Sequence, residues 1–251
     1  MVGAAGQMGQ VLSEHLNLVD GLVVSTMVDL QEPRQLFGAS YFSHLDAVDS
    51  SSVDVVVDFS RPESTVTSAR WCAEHRVGLV VGTTGLSGEQ RASVEAAAHE
   101  TGVVMAANFS LGAVLSERFA AMAAPYFPRV EIIELHHDRK VDAPSGTALS
   151  TAQRIVDARR AVSLVTPAEP THSYVLEGAR GAHAGGGVRV HSVRLPGLVA
   201  HQEVLFGGPG EGLIIRHDSY ERVSFVQGVA LAAAHVGATP GFTWGIDDLI
   251  A

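Results

Sequence analysis

Cysteine is nearly absent from the chain, and so are several features that mark whole classes of protein. The 251 residues include one cysteine, Cys72, so no internal disulfide can form and a reducing compartment is expected. No stretch approaches the roughly 20 apolar residues of a membrane span. No basic segment followed by an apolar run marks a signal peptide. These absences favour a cytoplasmic protein that does not enter membranes.

Positive charge is also scarce. Lysine and arginine total 17 against 27 aspartates and glutamates, which gives a net charge of −10 with histidine neutral. Because no basic stripe stands out, this balance argues against a nucleic-acid-binding surface. An anionic ligand would need a local pocket of positive groups.

The first hundred residues alternate between strand-like and helix-like patterns. Runs rich in β-branched residues span 22–29, 53–60, 78–83 and 103–107, with helical patterns between them. Pro62 opens a helix predicted to reach about residue 75, and Ser87 with Gln90 fits a capping box. Continuous apolar strands joined by helices predict an α/β fold, namely a Rossmann-like, doubly wound parallel sheet.

The pattern changes after about residue 109. Helices are predicted at 111–127 and from Ser145 to about residue 160, with a strand at 130–135 between them. A loop at 167–187 precedes strands at 188–195, 198–206 and 212–218, joined by turns suited to antiparallel hairpins. This part predicts an α+β domain with an open, mixed sheet, whose edges and uncovered face favour self-association.

Three glycines mark the turn from the first strand into the first helix. Their spacing is G-x-x-G-x-x-G, and such a turn lets backbone amides approach a pyrophosphate at a helix N-terminus. Asp29 lies 20 residues past Gly9, where an acidic side chain takes the adenine ribose hydroxyls. The predicted dinucleotide contacts here are Gly3, Gly6, Gln7, Met8, Gly9 and Asp29.

The residues near Asp29 bear on the choice of dinucleotide. Asp29 would repel a 2′-phosphate and Leu30 is no basic replacement, which favours NADH. Arg34 could still reach a phosphate, so NADPH stays open.

The strand before the glycine turn is nearly missing. Only Met1 and Val2 precede Gly3, so we expect about five apolar residues upstream, to complete a strand of ordinary length.

The densest cluster of reactive side chains leaves the strand at 130–135. His136 can deliver a proton near neutral pH, and Lys140 is a point charge suited to a carboxylate. Gly146 and Thr147 begin the next helix, where backbone amides and a hydroxyl offer an anion site. Adjacent His136 and His137 could instead be a metal pair or a solvated loop, but no further ligands fall at convincing spacing, so no metal is expected.

Two more segments lie at predicted strand ends, where open α/β sheets bind ligands. Small residues there let a flat ring lie close, although an ordinary strand-to-helix turn is the alternative for each. The candidates are Gly82, Thr83 and Thr84 after one strand, and Ala107, Asn108, Phe109 and Ser110 after the next.

The motif His136-His137-x-x-Lys140-x-Asp142-Ala143-Pro144-Ser145-Gly146-Thr147-Ala148 resembles the signature of the dihydrodipicolinate reductase family. The segments 82–85 and 108–110 resemble that family's other two motifs, and the glycine turn with Asp29 resembles its cofactor site. The family usually has Lys or Arg at the position of Gln7, so this residue departs from the pattern.

The resemblance implies a fold, a reaction and an assembly. Residues 1–108 and 222–251 would form the dinucleotide-binding domain, and residues 109–221 a substrate-binding domain whose sheets assemble a homotetramer. The implied reaction is reduction of 4-hydroxy-tetrahydrodipicolinate, a small dicarboxylate, by NADH or NADPH. His136 and Lys140 would be the proton donors, His137, Gly146 and Thr147 would bind substrate with Lys140, and residues 82–84 and 107–110 would line the nicotinamide end.

Two other functions are compatible with the glycine turn. A different two-domain dehydrogenase, acting on a sugar or hydroxy acid, would have no use for the anion-binding helix start at Gly146. A redox sensor would bind the dinucleotide without turnover, and it would need an effector module that the sequence does not supply.

Overall fold

The computed structural model describes residues 1–237 and 241–250. The helices are α1 Gln7–Leu16, α2 Pro62–His75, α3 Gly88–Ala97, α4 Leu111–Ala123, α5 Gly146–Ala161 and α6 Val226–Val236. The strands are β1 Thr26–Val28, β2 Ser40–Phe42, β3 Val55–Asp58, β4 Gly78–Val81, β5 Gly102–Met105, β6 Arg129–His136, β7 Ala182–Gly185, β8 Val188–Arg194, β9 Ala200–Gly208, β10 Glu211–Ser219 and β11 Gly241–Trp244. The chain divides into two units, Met1–Leu111 with Arg222–Ala251, and Gly112–Glu221.

The first unit contains a parallel sheet. β1 pairs with β2, while β3, β4, β5 and β11 pair in that order, all in parallel. Val2 forms parallel bridges to Val28 and Asp58, so it occupies the place of a strand between β1 and β3. The Rossmann-like sheet that the sequence predicts is confirmed. β2 and β11 were not predicted, because each is short and neither shows a β-branched run.

Helices cover this sheet according to local signals in the sequence. Pro62 is the first residue of α2, and Ser87 caps α3 in a full capping box with Gln90, as predicted. Alternate strand residues such as Leu79 and Val103 pack with the buried side chains of α2 and α3. The residues between them are also buried, which is the pattern of a sheet covered on both faces.

The second unit contains a five-stranded mixed sheet in the order β10-β9-β6-β8-β7. The predicted antiparallel hairpin is confirmed for β9 and β10. The hairpin predicted between β8 and β9 is wrong, because β6 lies between them, parallel to β8 and antiparallel to β9. The loop predicted at 167–187 contains the short strand β7, which pairs with β8 through an irregular register.

The two faces of this mixed sheet differ. On one face, small residues of α4 and α5 pack against Val130, Ile132, Val204 and their neighbours to form the core of the second unit. The other face carries half-buried and exposed apolar side chains, including Ile133, Leu205 and Ile214, with ion pairs around them. The sheet is therefore open on one side, as predicted.

No helix within the described ranges combines the length and apolar character that crossing a membrane would require.

Candidate functional site

The glycine turn is shaped by close backbone contacts. Gly3 has φ of +78°, and a β-carbon there would overlap the carbonyl of Phe59. A β-carbon on Gly9 would overlap the carbonyl of Gly3, so only glycine fits at both positions. Gly6 and Gln7, by contrast, are exposed at the N-terminus of α1. The buried Gly3 and Gly9 set the turn, and the exposed Gly6 and Gln7 leave the helix start accessible, which fits a bound pyrophosphate.

Asp29 joins the glycine turn. One carboxylate oxygen accepts a hydrogen bond from the Ala5 amide at 2.9 Å, and the other accepts one from the Gln31 amide at 3.2 Å. The predicted acidic residue therefore lies directly beside the turn that follows Val2. Both follow strands of the parallel sheet at its carboxyl edge, where such sheets bind dinucleotides.

A buried network lies below Thr83. Asp58 is fully buried at the end of β3, and its Oδ1 accepts hydrogen bonds from the hydroxyls of Thr83 at 2.9 Å, Ser60 at 2.5 Å and Thr65 at 3.2 Å. The Thr83 hydroxyl also accepts a hydrogen bond from the Ser60 amide at 2.9 Å. The side chain of Thr83 is thus committed to the protein interior, and the exposed Thr84 is the accessible hydroxyl of this turn.

Phe59 connects the glycine turn with the two other predicted segments. Its ring lies where a β-carbon of Gly82 would be, and it packs on Phe109 with ring centroids 5.6 Å apart. Phe109 is fully buried, so its side chain supports the site from below. Asn108 Oδ1 accepts a hydrogen bond from the Ser110 amide at 2.9 Å and shapes the turn after the exposed Ala107.

In the second unit, His136 ends β6 with one ring nitrogen held by a carboxylate. Its Nδ1 lies 2.5 Å from Oε2 of Glu134, which is fully buried two residues earlier on the same face of the strand. Arg194 of β8 donates two hydrogen bonds to the same carboxylate, both at 2.8 Å. Glu134 and Arg194 were not among the predicted site residues.

The charges around His136 act in opposite directions. Burial lowers the pKa of His136, Glu134 raises it, and Lys140 and Arg194 lower it, with a net lowering from its ordinary value. Burial raises the pKa of Glu134, but hydrogen bonds from Arg194, Ser192 and His136 outweigh this and lower it. Glu134 is therefore an ionised acceptor, which assigns the shared hydrogen to Nδ1 of His136. The other ring nitrogen, Nε2, is left for a ligand.

Lys140 lies in the loop between β6 and α5. Its ammonium donates to both carboxylate oxygens of Asp142 at 2.8 Å, and its amide donates to the carbonyl of His137 at 3.2 Å. The loop includes a cis peptide bond between Ala143 and Pro144. His137 is half-buried, and its Nδ1 is enclosed with no hydrogen-bond partner among the described residues.

The N-terminus of α5 completes this group. Ser145 caps the helix, because its hydroxyl accepts from the Ala148 amide at 3.2 Å. A β-carbon at Gly146 would meet nothing within 4 Å, so the first turn is open on that side. First-turn amides such as those of Gly146 and Thr147 have no acceptor within the helix, and they can therefore receive an anion.

Each unit thus gathers its own predicted residues. The first collects the glycine turn, Asp29 and the segments after β4 and β5 at one sheet edge, and the second collects His136, His137, Lys140 and the start of α5. Over the described residues, no group of three or more His, Cys, Asp or Glu side chains could hold a metal ion.

Comparison with known proteins gives a consistent result. The family model described as "Dihydrodipicolinate reductase, N-terminus" matches residues 1–109, and the one described as "Dihydrodipicolinate reductase, C-terminus" matches residues 112–250. A protein of Nocardia farcinica named 4-hydroxy-tetrahydrodipicolinate reductase is 44% identical over 253 aligned residues, which cover 100% of this chain and 97% of that one. A Mycobacterium protein of the same name matches equally well, with 44% identity and the same shares covered.

One solved structure extends the similarity to the fold. The dipicolinate-bound dihydrodipicolinate reductase of a Paenisporosarcina species superposes with a TM-score of 0.87 and is 37% identical, with 99% of this chain and 97% of that chain covered. An amine dehydrogenase of Mycobacterium smegmatis, 14% identical with a TM-score of 0.56 over 94% of this chain and 91% of that one, shares the fold alone.

Proposed function

The chain belongs to the dihydrodipicolinate reductase family, and we propose that it reduces 4-hydroxy-tetrahydrodipicolinate to tetrahydrodipicolinate, with loss of water, at the expense of NADH or NADPH. The step belongs to lysine and diaminopimelate biosynthesis. One observation carries the proposal: a histidine at the end of β6 has one nitrogen fixed by a carboxylate, and the short loop that follows carries a lysine and ends at an open helix N-terminus. That is a proton donor beside a site for a carboxylate.

The first unit is proposed to hold the dinucleotide, which supplies the hydride when bound. The exposed start of α1 would receive the pyrophosphate, and Asp29 would take the ribose hydroxyls. Because the Asp29 carboxylate accepts hydrogen bonds from the Ala5 and Gln31 amides, it is held in place next to the turn. A 2′-phosphate would meet that negative charge, so we propose a preference for NADH.

His136 is proposed as the proton donor. Glu134 occupies Nδ1, so the proton available to a substrate is the one on Nε2 of the imidazolium. Hydride addition to a ring carbon that is conjugated with the imine leaves negative charge on the adjacent ring carbon. A proton must then be delivered to that carbon. A general acid in this role typically contributes about 10²–10⁴-fold in rate.

Lys140 is proposed to bind a substrate carboxylate and to assist proton delivery. It is the only lysine of the chain, whereas the other 16 basic residues are arginines. An arginine cannot release a proton at physiological pH, so a transferable proton explains why lysine stands here. A carboxylate would compete with Asp142 for the ammonium and would receive further hydrogen bonds from the amides of Gly146 and Thr147.

The testing experiment is an absorbance assay of NADH and NADPH oxidation with enzymatically generated substrate. We expect turnover with both dinucleotides and a lower KM for NADH. His136→Gln should lower kcat by about 10²–10⁴-fold with little change in KM. Lys140→Arg keeps the positive charge but should turn over far more slowly than wild type. Oxidation of a sugar or hydroxy acid, with no reduction of the imine dicarboxylate, would contradict the proposal.

We also propose that the open face of the mixed sheet assembles the chain into a homotetramer. Ile133, Leu205 and Ile214 form an apolar patch there, and soluble proteins usually cover such patches by association. The compartment proposed is the cytoplasm. Analytical ultracentrifugation should give a tetramer, and Ile214→Glu should shift it to smaller species. A monomeric wild-type chain would contradict the assembly.

A further inference from the structure

Glu134 is a charged residue on the buried face of β6, where the preceding alternate residues are apolar. Val130, Ile132 and Glu134 alternate along β6 toward the buried face, and the Glu134 side chain is fully buried. Removing a carboxylate from water is unfavourable by several kcal/mol, and a buried ion pair is often no more stabilising than apolar residues of the same volume. Fold stability alone therefore does not account for a glutamate here.

The partners of Glu134 come from three segments. Oε2 accepts from Nδ1 of His136 at 2.5 Å and from Nη1 of Arg194 at 2.8 Å. Oε1 accepts from Nη2 of Arg194 at 2.8 Å and from the Ser145 amide at 3.3 Å. One carboxylate thus connects the end of β6, the end of β8 and the residue that caps α5.

Arg194 extends this connection to the loop that carries Lys140. Its Nη2 also donates to the carbonyl of Asp142 at 2.8 Å. The Asp142 carboxylate in turn holds the Lys140 ammonium. The buried Glu134 and the half-buried Arg194 therefore contact His136 directly and reach Lys140 through Asp142.

We propose that Glu134 and Arg194 are positioning residues for this chemistry: Glu134 holds the His136 ring with Nε2 free for the substrate, and Arg194 locks that carboxylate while anchoring the loop of Lys140 and Asp142. The inference rests on the proposed function, because it takes His136 as the proton donor. Neither residue touches the substrate in this scheme.

The two positioning residues carry opposite charges, so their removal should move the acid strength of His136 in opposite directions. Three charged groups act on this ring: Glu134 on its own strand, Arg194 on β8 and Lys140 on the loop, where the Lys140 ammonium is paired with Asp142. Its neighbour on β9, Ala200, has no titratable group. A charge within hydrogen-bonding range typically moves a pKa by one unit or more.

The test is an NMR titration of the His136 ring, assigned with His136→Gln, together with the pH dependence of kcat. We expect Glu134→Gln to lower the pKa of His136 and Arg194→Gln to raise it, each by about one pH unit. Arg194→Lys should keep the pKa near the wild-type value, because the charge is retained, but raise KM for the dicarboxylate. Loss of the supporting carboxylate should lower kcat by roughly 10–100-fold, the loss typical for carboxylates that orient metal-bound histidines. KM for the dinucleotide should not change.

A matched control stands on the same strand. Glu131 also pairs with an arginine and a histidine, Arg180 and His191, but on the open face. Glu131→Gln should leave the His136 titration unchanged. If the pKa of His136 shifts in the same direction in Glu134→Gln and Arg194→Gln, or shifts in neither, the inference is overturned. If Glu134→Gln does not fold, the difference in the His136 pKa between Arg194→Gln and Arg194→Lys decides. Opposite shifts without turnover of the imine dicarboxylate would retain the positioning role and reject the proposed reaction.

Discussion

The Phe59 ring lies against Gly82 so closely that a β-carbon on Gly82 would overlap three of its ring atoms. Gly82→Ala must therefore displace the Phe59 ring, which packs on Phe109. We expect a loss of roughly 1–3 kcal/mol of unfolding free energy, as in other overpacked cores, and weaker NADH binding. Urea unfolding and fluorescence titration with NADH measure both effects.

The control for that change is Gly88→Ala. Gly88 begins α3, and a β-carbon there would meet nothing within 4 Å. Alanine should be neutral or slightly stabilising at this position because of its higher helix propensity. Equal effects of the two substitutions would contradict the role assigned to Phe59.

Arg159 holds together the second unit. Its buried guanidinium donates to the carbonyls of Ala124, Phe127 and Gly186, at 3.3, 2.7 and 3.4 Å. Arg159→Met should lower the unfolding free energy by about 2–4 kcal/mol, because three carbonyls lose their donor. Its neighbour Arg160 is exposed, so Arg160→Met should change the same quantity by less than about 0.5 kcal/mol. Scanning calorimetry of both variants gives the comparison. Similar melting temperatures for the two variants would contradict the stabilising role assigned to Arg159.

Substitution of two helix-capping serines should distinguish an effect on stability from an effect on substrate binding. Ser145 caps α5 and Ser87 caps α3, each through a 3.2 Å hydrogen bond to a first-turn amide. Replacing either by alanine should reduce stability by about 1 kcal/mol. Only Ser145→Ala should also raise KM for the dicarboxylate, because α5 carries the proposed anion site. Steady-state kinetics distinguish the two, and an unchanged KM in Ser145→Ala would remove the helix start from the site.

His217 should make the second unit sensitive to acid. Burial lowers its pKa, Asp218 raises it and His201 lowers it, with a net lowering. The unfolded chain then binds the proton more readily than the folded one, so the stabilising contribution is present above the unfolded-state pKa and is lost as pH falls through the folded value. Urea unfolding should be measured at pH values on either side of about 6.5. As the pH falls, the unfolding free energy should decrease more for wild type than for His217→Gln.

The exposed His99 offers the control for this titration. His99→Gln should lose stability on acidification in parallel with wild type. If the unfolding free energy falls equally steeply with pH in wild type, His217→Gln and His99→Gln, the acid sensitivity belongs to other groups.

Local signals in the sequence predicted local structure well. Pro62, Ser87 and Ser145 each mark a helix start that the structure contains, because capping depends on residues within one turn. The pairing of β6 with both β8 and β9 could not be read this way, because chain order does not say which strands lie side by side. The prediction of a hairpin between β8 and β9 failed for that reason.

The missed site residues act over long sequence separations. Arg194 contacts Glu134 from 60 positions away, and Thr83 reaches Asp58 across 25. A signal for Glu134 was nevertheless present: the period-two pattern of β6 puts it on the buried face, where a carboxylate requires a partner. Nothing comparable marked Phe59, which reads as an ordinary apolar residue after a strand.

Gly228 of α6 approaches the Phe109 carbonyl so closely that a β-carbon would overlap it, and α6 comes from the far end of the chain. During synthesis, the segment 107–110 therefore emerges long before the helix that backs it. The proposed nicotinamide end of the first unit would stay incomplete until the ribosome has made the whole second unit and α6. A fragment ending near residue 111 should accordingly expose an apolar surface and bind dinucleotide poorly, so premature termination would yield no partly working reductase.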